Sequence, residues 1–250
     1  MTYTPTDNNC ADIINKIDIA AGDVVGYSYI NKFGYRELPQ NATTYYPLYS
    51  RYGTVDTTKY YDYPTSATTA NVSSSDSNDN GGTVTVYGLD TNFAEVSETI
   101  TIGQTGTTSF FRVHRVCMVT VGNGTDTNIG NITVIVDTKE VAYIPAGYGQ
   151  TLQTIYTVPA SKTAYIFQID VGSDTKDKPV NARLRCRDNT VTNAAWQTKA
   201  FIVMESNYVS HKQSVPILIT EKSDIQLEGN NSSVGGLEVS GGFDLVLVDN

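Results

Sequence analysis

The sequence predicts an all-β protein: an antiparallel β-sandwich of jelly-roll or Greek-key type, preceded by an extended, irregular, Tyr-rich N-terminal segment. Three observations carry this. Period-two alternation rich in Thr, Val, Ile and Tyr recurs from about residue 83 onward, as suits a pleated and half-buried surface. The gaps between these runs hold Gly and Asn, which supply the positive φ of tight turns. Helical spacing is confined to Asp12-Ile13-Ile14-Asn15-Lys16-Ile17, so the amphipathic helices that βαβ units require are missing from the pattern.

From the N-terminus, residues 1–65 read as an extension or arm, with prolines at Pro39, Pro47 and Pro64. Tyr45, Tyr46, Tyr49, Tyr52, Tyr60, Tyr61 and Tyr63 crowd its second half. Tyr offers a large contact area with a hydroxyl to satisfy, so these seven are the candidate partner-binding residues. The competing account is a flap over one sheet of the same chain. Residues 66–82 read as a loop, with Ser73-Ser74-Ser75-Asp76-Ser77-Asn78-Asp79-Asn80-Gly81-Gly82 at its end. Residues 83–250 read as the sandwich domain. Its strands are expected at 83–87, 98–102, 111–121, 131–136, 153–158, 164–171, 180–187, 198–204, 215–219, 224–227 and 243–248. Turn sequences separate them, among them Gly103-Gln104-Thr105-Gly106 and Gly122-Asn123-Gly124.

The 250 residues carry 17 Lys and Arg against 26 Asp and Glu, a net charge of -9. Scattered cations so outnumbered argue against a nucleic-acid surface, which needs clustered Lys and Arg to neutralise phosphates. The densest cluster, Arg183, Arg185 and Arg187, alternates with Leu184 and Cys186, which puts all three on one strand face. That face is expected to be solvated, or to meet acidic neighbours. No run approaches a membrane span and the first residues lack the charged and apolar regions of a signal peptide. Cys10, Cys117 and Cys186 are odd in number and widely spaced, suggesting neither a disulfide framework nor a zinc site but small buried hydrophobes in a reducing cytosol.

No arrangement calls for a cofactor or a metal, and no catalytic residue is assigned. Asp76-x-Asn78-x-Asn80-Gly81 copies the opening of a calcium loop, but the twelfth position is Tyr87 where a bidentate Glu belongs. His114 and His211 are far apart in sequence, and His114 is expected on a polar strand face with Arg112. Glu95 and Glu98 are the nearest carboxylate pair for glycoside hydrolysis, yet three residues apart on a strand they face opposite ways. Trp196, the single Trp, is expected as a packing anchor, with a sugar-stacking platform as the alternative.

From about residue 66 the chain resembles β-rich structural proteins of tailed bacteriophages from environmental bacteria, including marine and cyanobacterial phages. The similarity lies in short phrases: Val72-Ser73-Ser74-Ser75-Asp76-Ser77-Asn78-Asp79, residues 83–100, and Asn128-Ile129-Gly130-Asn131-Ile132. It continues in Ile144-Pro145-Ala146-Gly147-Tyr148-Gly149, Tyr156-Thr157-Val158-Pro159-Ala160-Ser161, Glu221-Lys222-Ser223-Asp224-Ile225 and residues 243–250. These are turns and strand edges, and they name no active site. The resemblance implies a non-enzymatic virion component assembled in the host cytoplasm, a capsid decoration or cement protein before all. Its partners would be the major capsid protein or other virion proteins, with a homotrimer as the implied assembly and no nucleic acid or membrane bound. The alternative is a head-fibre, neck or tail module that binds a receptor or host surface glycan. A carbohydrate-active enzyme on the same sandwich is a third expectation.

Overall fold

A computed structural model describes residues 17–39, 44–49, 61–123, 126–175, 180–204, 206–231 and 235–250. In chain order its strands are β1 (Tyr27–Leu38), β2 (Tyr46–Pro47), β3 (Thr68–Ser74), β4 (Thr83–Leu89), β5 (Glu95–Thr101), β6 (Thr105–Phe110), β7 (Arg112–Thr120) and β8 (Ile132–Val136). There follow β9 (Lys139–Ile144), β10 (Ile155–Thr157), β11 (Lys162–Ser173), β12 (Val180–Asp188), β13 (Gln197–Met204), β14 (Tyr208–Ile219), β15 (Ser223–Asn231) and β16 (Leu237–Asp249). Helix among the described residues amounts to residues 17–21 and one 3-10 turn at Ser77–Asp79. The protein is all-β, and every strand pairing among the described residues is antiparallel.

Two hydrophobic cores divide the strands. The first lies between a sheet ordered β1-β16-β11-β14 and a sheet ordered β10-β15-β12-β13, with β2 also paired to β15. The second lies between β6-β3-β8-β9 and β5-β4-β7. Residues 68–144 thus build one sandwich, inserted between the strands before and after them that build the other. Set beside the sequence division at residues 65 and 83, β1 lies within the first 65 residues and β3 precedes residue 83.

Strand parity follows the apolar pattern where the pattern is clear. On β12, Val180, Ala182, Leu184 and Cys186 point into the first core and the arginines between them point out. On β11 the inward residues are Ala164 and Ile166, then Ile169 and Val171. The change of parity is made by a register shift between Ile166 and Gln168 against both neighbouring strands, since one extra residue turns every later side chain to the opposite face.

The segment expected to be irregular departs most from the sequence reading. Tyr27–Leu38 pairs with β16 along its whole length. Its inward positions are Lys32, Gly34, Arg36 and Leu38, while Tyr27 and Tyr29 face solvent, so the usual hydropathy alternation is inverted. The expected loop at 66–82 also holds β3, whose Ser and Thr content masks two inward residues, Ala70 and Val72. The expected helical stretch at 12–17 lies outside the described residues except for Ile17, where the helix at 17–21 begins.

The calcium-like loop is a pin between strands. Asp76 Oδ1 accepts from the Asn78 backbone N–H at 2.9 Å, capping the 3-10 turn. Asp79 is buried and accepts from the N–H groups of Ile129 and Gly130 at 2.7 and 2.8 Å, and from the Ser74 hydroxyl. Charge-assisted bonds to backbone donors are worth about twice a neutral bond, which ties the start of β4 to the approach to β8.

Candidate functional site at the seam between the sandwiches

The two sandwiches meet along a seam in which charged groups are buried. Arg112 at the head of β7 donates from Nε to Asp224 Oδ1 at 2.9 Å and from Nη2 to Asp224 Oδ2 at 3.3 Å, a bidentate pair that joins β7 of one sandwich to β15 of the other. Both side chains are almost wholly buried. The remaining Arg112 donors reach the carbonyls of Pro64 and Phe111 at 3.2 and 2.9 Å, and the guanidinium lies 4.2 Å from the centre of the Phe111 ring. Asp224 also accepts from Thr157 Oγ1 at 2.8 Å and Arg187 Nη2 at 2.6 Å.

The arginines of β12 continue this network. Arg183 and Arg185 both pair with the buried Glu228, at 2.6 and 3.2 Å. The solvated face expected for Arg183, Arg185 and Arg187 is therefore mostly covered and neutralised within the chain. The acidic neighbours are Asp224 and Glu228 on β15, which pairs with β12 along its length. Tyr45 lies 4.0 Å from the Arg183 guanidinium, and Trp196 5.0 and 4.8 Å from those of Arg185 and Arg187. Trp196 is half-buried and also meets Tyr63, at 5.7 Å between ring centres. It caps the arginine ladder and does not enter either core.

The candidate tyrosines run along the same seam. Tyr46 is buried in the first core, and Tyr49 and Tyr61 are buried in the second. Tyr49 and Tyr61 meet edge to face at 6.3 Å, and Tyr61 and Tyr63 at 4.6 Å. The Tyr61 hydroxyl donates to the Val113 carbonyl at 3.3 Å; burial pushes it up to about 12 against the pull of Arg112. Tyr63 donates to Gln226 Oε1 at 3.2 Å and its hydroxyl is also raised by burial, with the Asp224 charge adding to it. Tyr45 and Tyr63 keep part of their surface in solvent. Tyr52 and Tyr60 lie outside the described residues.

A second cluster lies where β1 crosses β7. Lys32 is buried and donates from Nζ to the His114 carbonyl, which also accepts from Gln153 Nε2 at 3.0 Å. The His114 ring sits 4.5 Å from that of Tyr156 on β10. The polar strand face expected for Arg112 and His114 is thus buried in the seam. Burial and the neighbouring Arg115 charge bring Lys32 down to about 7. Burial, followed by the charges of Lys32, Arg112 and Arg115, holds His114 well below the usual imidazole range.

Both shifts disfavour the protonated form in the folded chain, so stability from these groups is lost as pH falls. For His114 the loss starts below its unfolded pKa of about 6.5; for Lys32 it runs from about 10.4 down to about 7. Each contributes a slope of up to about 1.4 kcal/mol per pH unit. We expect thermal melts of His114→Gln to be flatter than wild type on the acid side of neutrality, and those of Lys32→Met to be flatter on the alkaline side. Parallel pH profiles in all three proteins would refute the assignment.

Glu98 accepts from the backbone N–H groups of Thr107 and Thr108, both at 2.8 Å, and from the Thr107 hydroxyl. Burial would raise its carboxyl, but these donors outweigh it and hold it below the usual range. Glu95 sits apart, at the mouth of a cleft beside Tyr156. His211 is exposed on β14. Cys117 and Cys186 are free, with burial pushing both thiols up and so away from reactivity; Cys10 lies outside the described residues. Among the described residues no three His, Cys, Asp or Glu side chains gather as a metal site, and no helix is long and apolar enough to cross a membrane.

No protein-family profile matches the chain, and neither does any curated protein. A solved structure described as that of infectious bursal disease virus Gt strain aligns over 89% of this chain and 71% of the other, at 10% identity and a TM-score of 0.21. A score that low does not establish a common fold.

Proposed function

We propose that the chain is a non-enzymatic structural subunit of a tailed-bacteriophage virion, a decoration protein that cements the capsid by burying surface against neighbouring subunits. One observation carries the reading. β13 and β14 are the edge strands on one side of the first sandwich, and they expose Phe201, Val203, Tyr208, Val215 and Leu218, Val215 to 77%. Lys199 on β13 and Lys212 and Pro216 on β14 are the usual guards of an edge against strand pairing, and the apolar side chains exposed beside them mark a side-chain contact surface. Tyr45 packs edge-on against Phe201 at 6.4 Å, which makes it the member of the Tyr set placed at this rim. The phage-like phrases of the sequence support the same reading.

The test is immunogold microscopy on particles from a lysate of the presumed host. Label over the heads is the expected result. Label confined to a tail, collar or vertex would favour the receptor- or glycan-binding alternative, and unlabelled particles would sink the virion reading. The rim makes its own prediction: Phe201→Glu combined with Val215→Lys should abolish incorporation into particles. Both positions are exposed, so unfolding stability should move by no more than about 0.5 kcal/mol per site.

A further inference from the structure

The seam contains cations that the chain does not neutralise. Arg112, Arg183, Arg185 and Arg187 all have carboxylate partners. Lys32 and Arg115 have none among the described residues: Lys32 Nζ is bonded to the His114 carbonyl, and Arg115 Nη2 donates to the Asn31 carbonyl at 2.7 Å. Both line one cleft of about 300 Å³, together with His114, Tyr156, Cys117 and, at its mouth, Glu95.

Two further groups are polar and unmatched. His114 Nε2 and the Tyr156 hydroxyl are buried and find no hydrogen-bond partner among the described residues. His114 is 8% exposed and Tyr156 3%. Buried polar atoms are nearly always paired, so two orphans lining the same cleft need an explanation. An ammonium with three N–H groups, a guanidinium with five, a neutral imidazole in its Nε2–H form and a phenol all present donors. Donors that line one cleft beside positive charge without a carboxylate partner are the complement of an oxyanion.

We propose that this cleft binds a small oxyanion, of the size of inorganic phosphate or a short carboxylate, through Lys32, Arg115, His114 and Tyr156. The anion would supply the missing countercharge at the crossing of β1 and β7, so the joint between the sandwiches would be firmer when it is bound.

The whole chain is titrated with inorganic phosphate and, separately, with acetate, at ionic strength held constant with chloride. Nitrogen NMR of the His114 ring and the melting temperature are followed. Saturable change with either anion is the expected result, and the stronger of the two identifies a tetrahedral or a planar ligand. Lys32→Met should weaken binding at least tenfold. Tyr156→Phe removes only an unpaired hydroxyl, so it should weaken binding several-fold without lowering the melting temperature; it decides the matter if Lys32→Met does not fold. Identical responses to chloride, or unchanged affinity in Tyr156→Phe and Lys32→Met, would overturn the site.

Discussion

Asp224→Ala is expected to lower unfolding stability by about 3–5 kcal/mol, enough to leave a domain of ordinary stability near its threshold. The carboxylate is wholly buried and receives Arg112, Arg187 and Thr157. Removing it strands the Arg112 guanidinium, itself 3% exposed, with no countercharge. The loss would exceed the net worth of the pair, because an uncompensated buried charge carries its desolvation cost alone. The double variant Asp224→Leu with Arg112→Met should therefore be more stable than Asp224→Ala. Urea unfolding of the three proteins measures this, and a midpoint for Asp224→Ala equal to that of wild type would remove the clamp from the account of the seam.

Gly88→Ala should cost about 4 kcal/mol or more, in the range reserved for direct steric conflict. A Cβ on Gly88 would lie 2.0 Å from the Arg112 carbonyl oxygen and 3.0 Å from the Phe110 ring. A backbone oxygen cannot rotate away, so β4 and β7 would have to part just where their register shifts between Tyr87 and Gly88. Because Arg112 is the residue displaced, the clamp to Asp224 would be disturbed as well. Gly81→Ala is the control: its φ is +87° but a Cβ there meets nothing within 4 Å, so only the backbone penalty of about 1 kcal/mol applies. Equal losses at the two positions, read by chemical denaturation, would contradict the steric argument.

The sequence conveyed the fold class because most strands bury one face, and alternation records that directly. Val180 to Cys186 shows the pattern well. It failed at β1, where Lys32 and Arg36 point inward, and at β6, whose Gly106 was read as turn chemistry. Within the seam, Arg183, Arg185 and Arg187 were recognisable as one face. Their partners were not, because Asp224 and Glu228 lie about forty residues away and β15 is buried on both faces. The tyrosines were singled out for their number, but number does not distinguish a ring that docks on another protein from one that docks on its own. Tyr46, Tyr49 and Tyr61 do the latter. Lys32, whose burial with His114 defines the cleft, gave no signal beyond being a Lys among aromatics.

The nesting of one sandwich inside the other has a consequence for biosynthesis. β3 to β9 are contiguous in the chain, so their sheets can pair, and most of their core close, while the residues after β10 are still being translated. The outer sandwich has no such freedom, since β1 pairs with β16 from the opposite end of the chain. Its long loops must be closed late, and contacts of high sequence separation form slowly. During that interval β1 would be an unpaired strand emerging early from the ribosome, exposed to other nascent copies. Its inward Lys32 and Arg36 make it a poor template for aggregation, so charges that are costly in the finished fold protect the chain while it is being made.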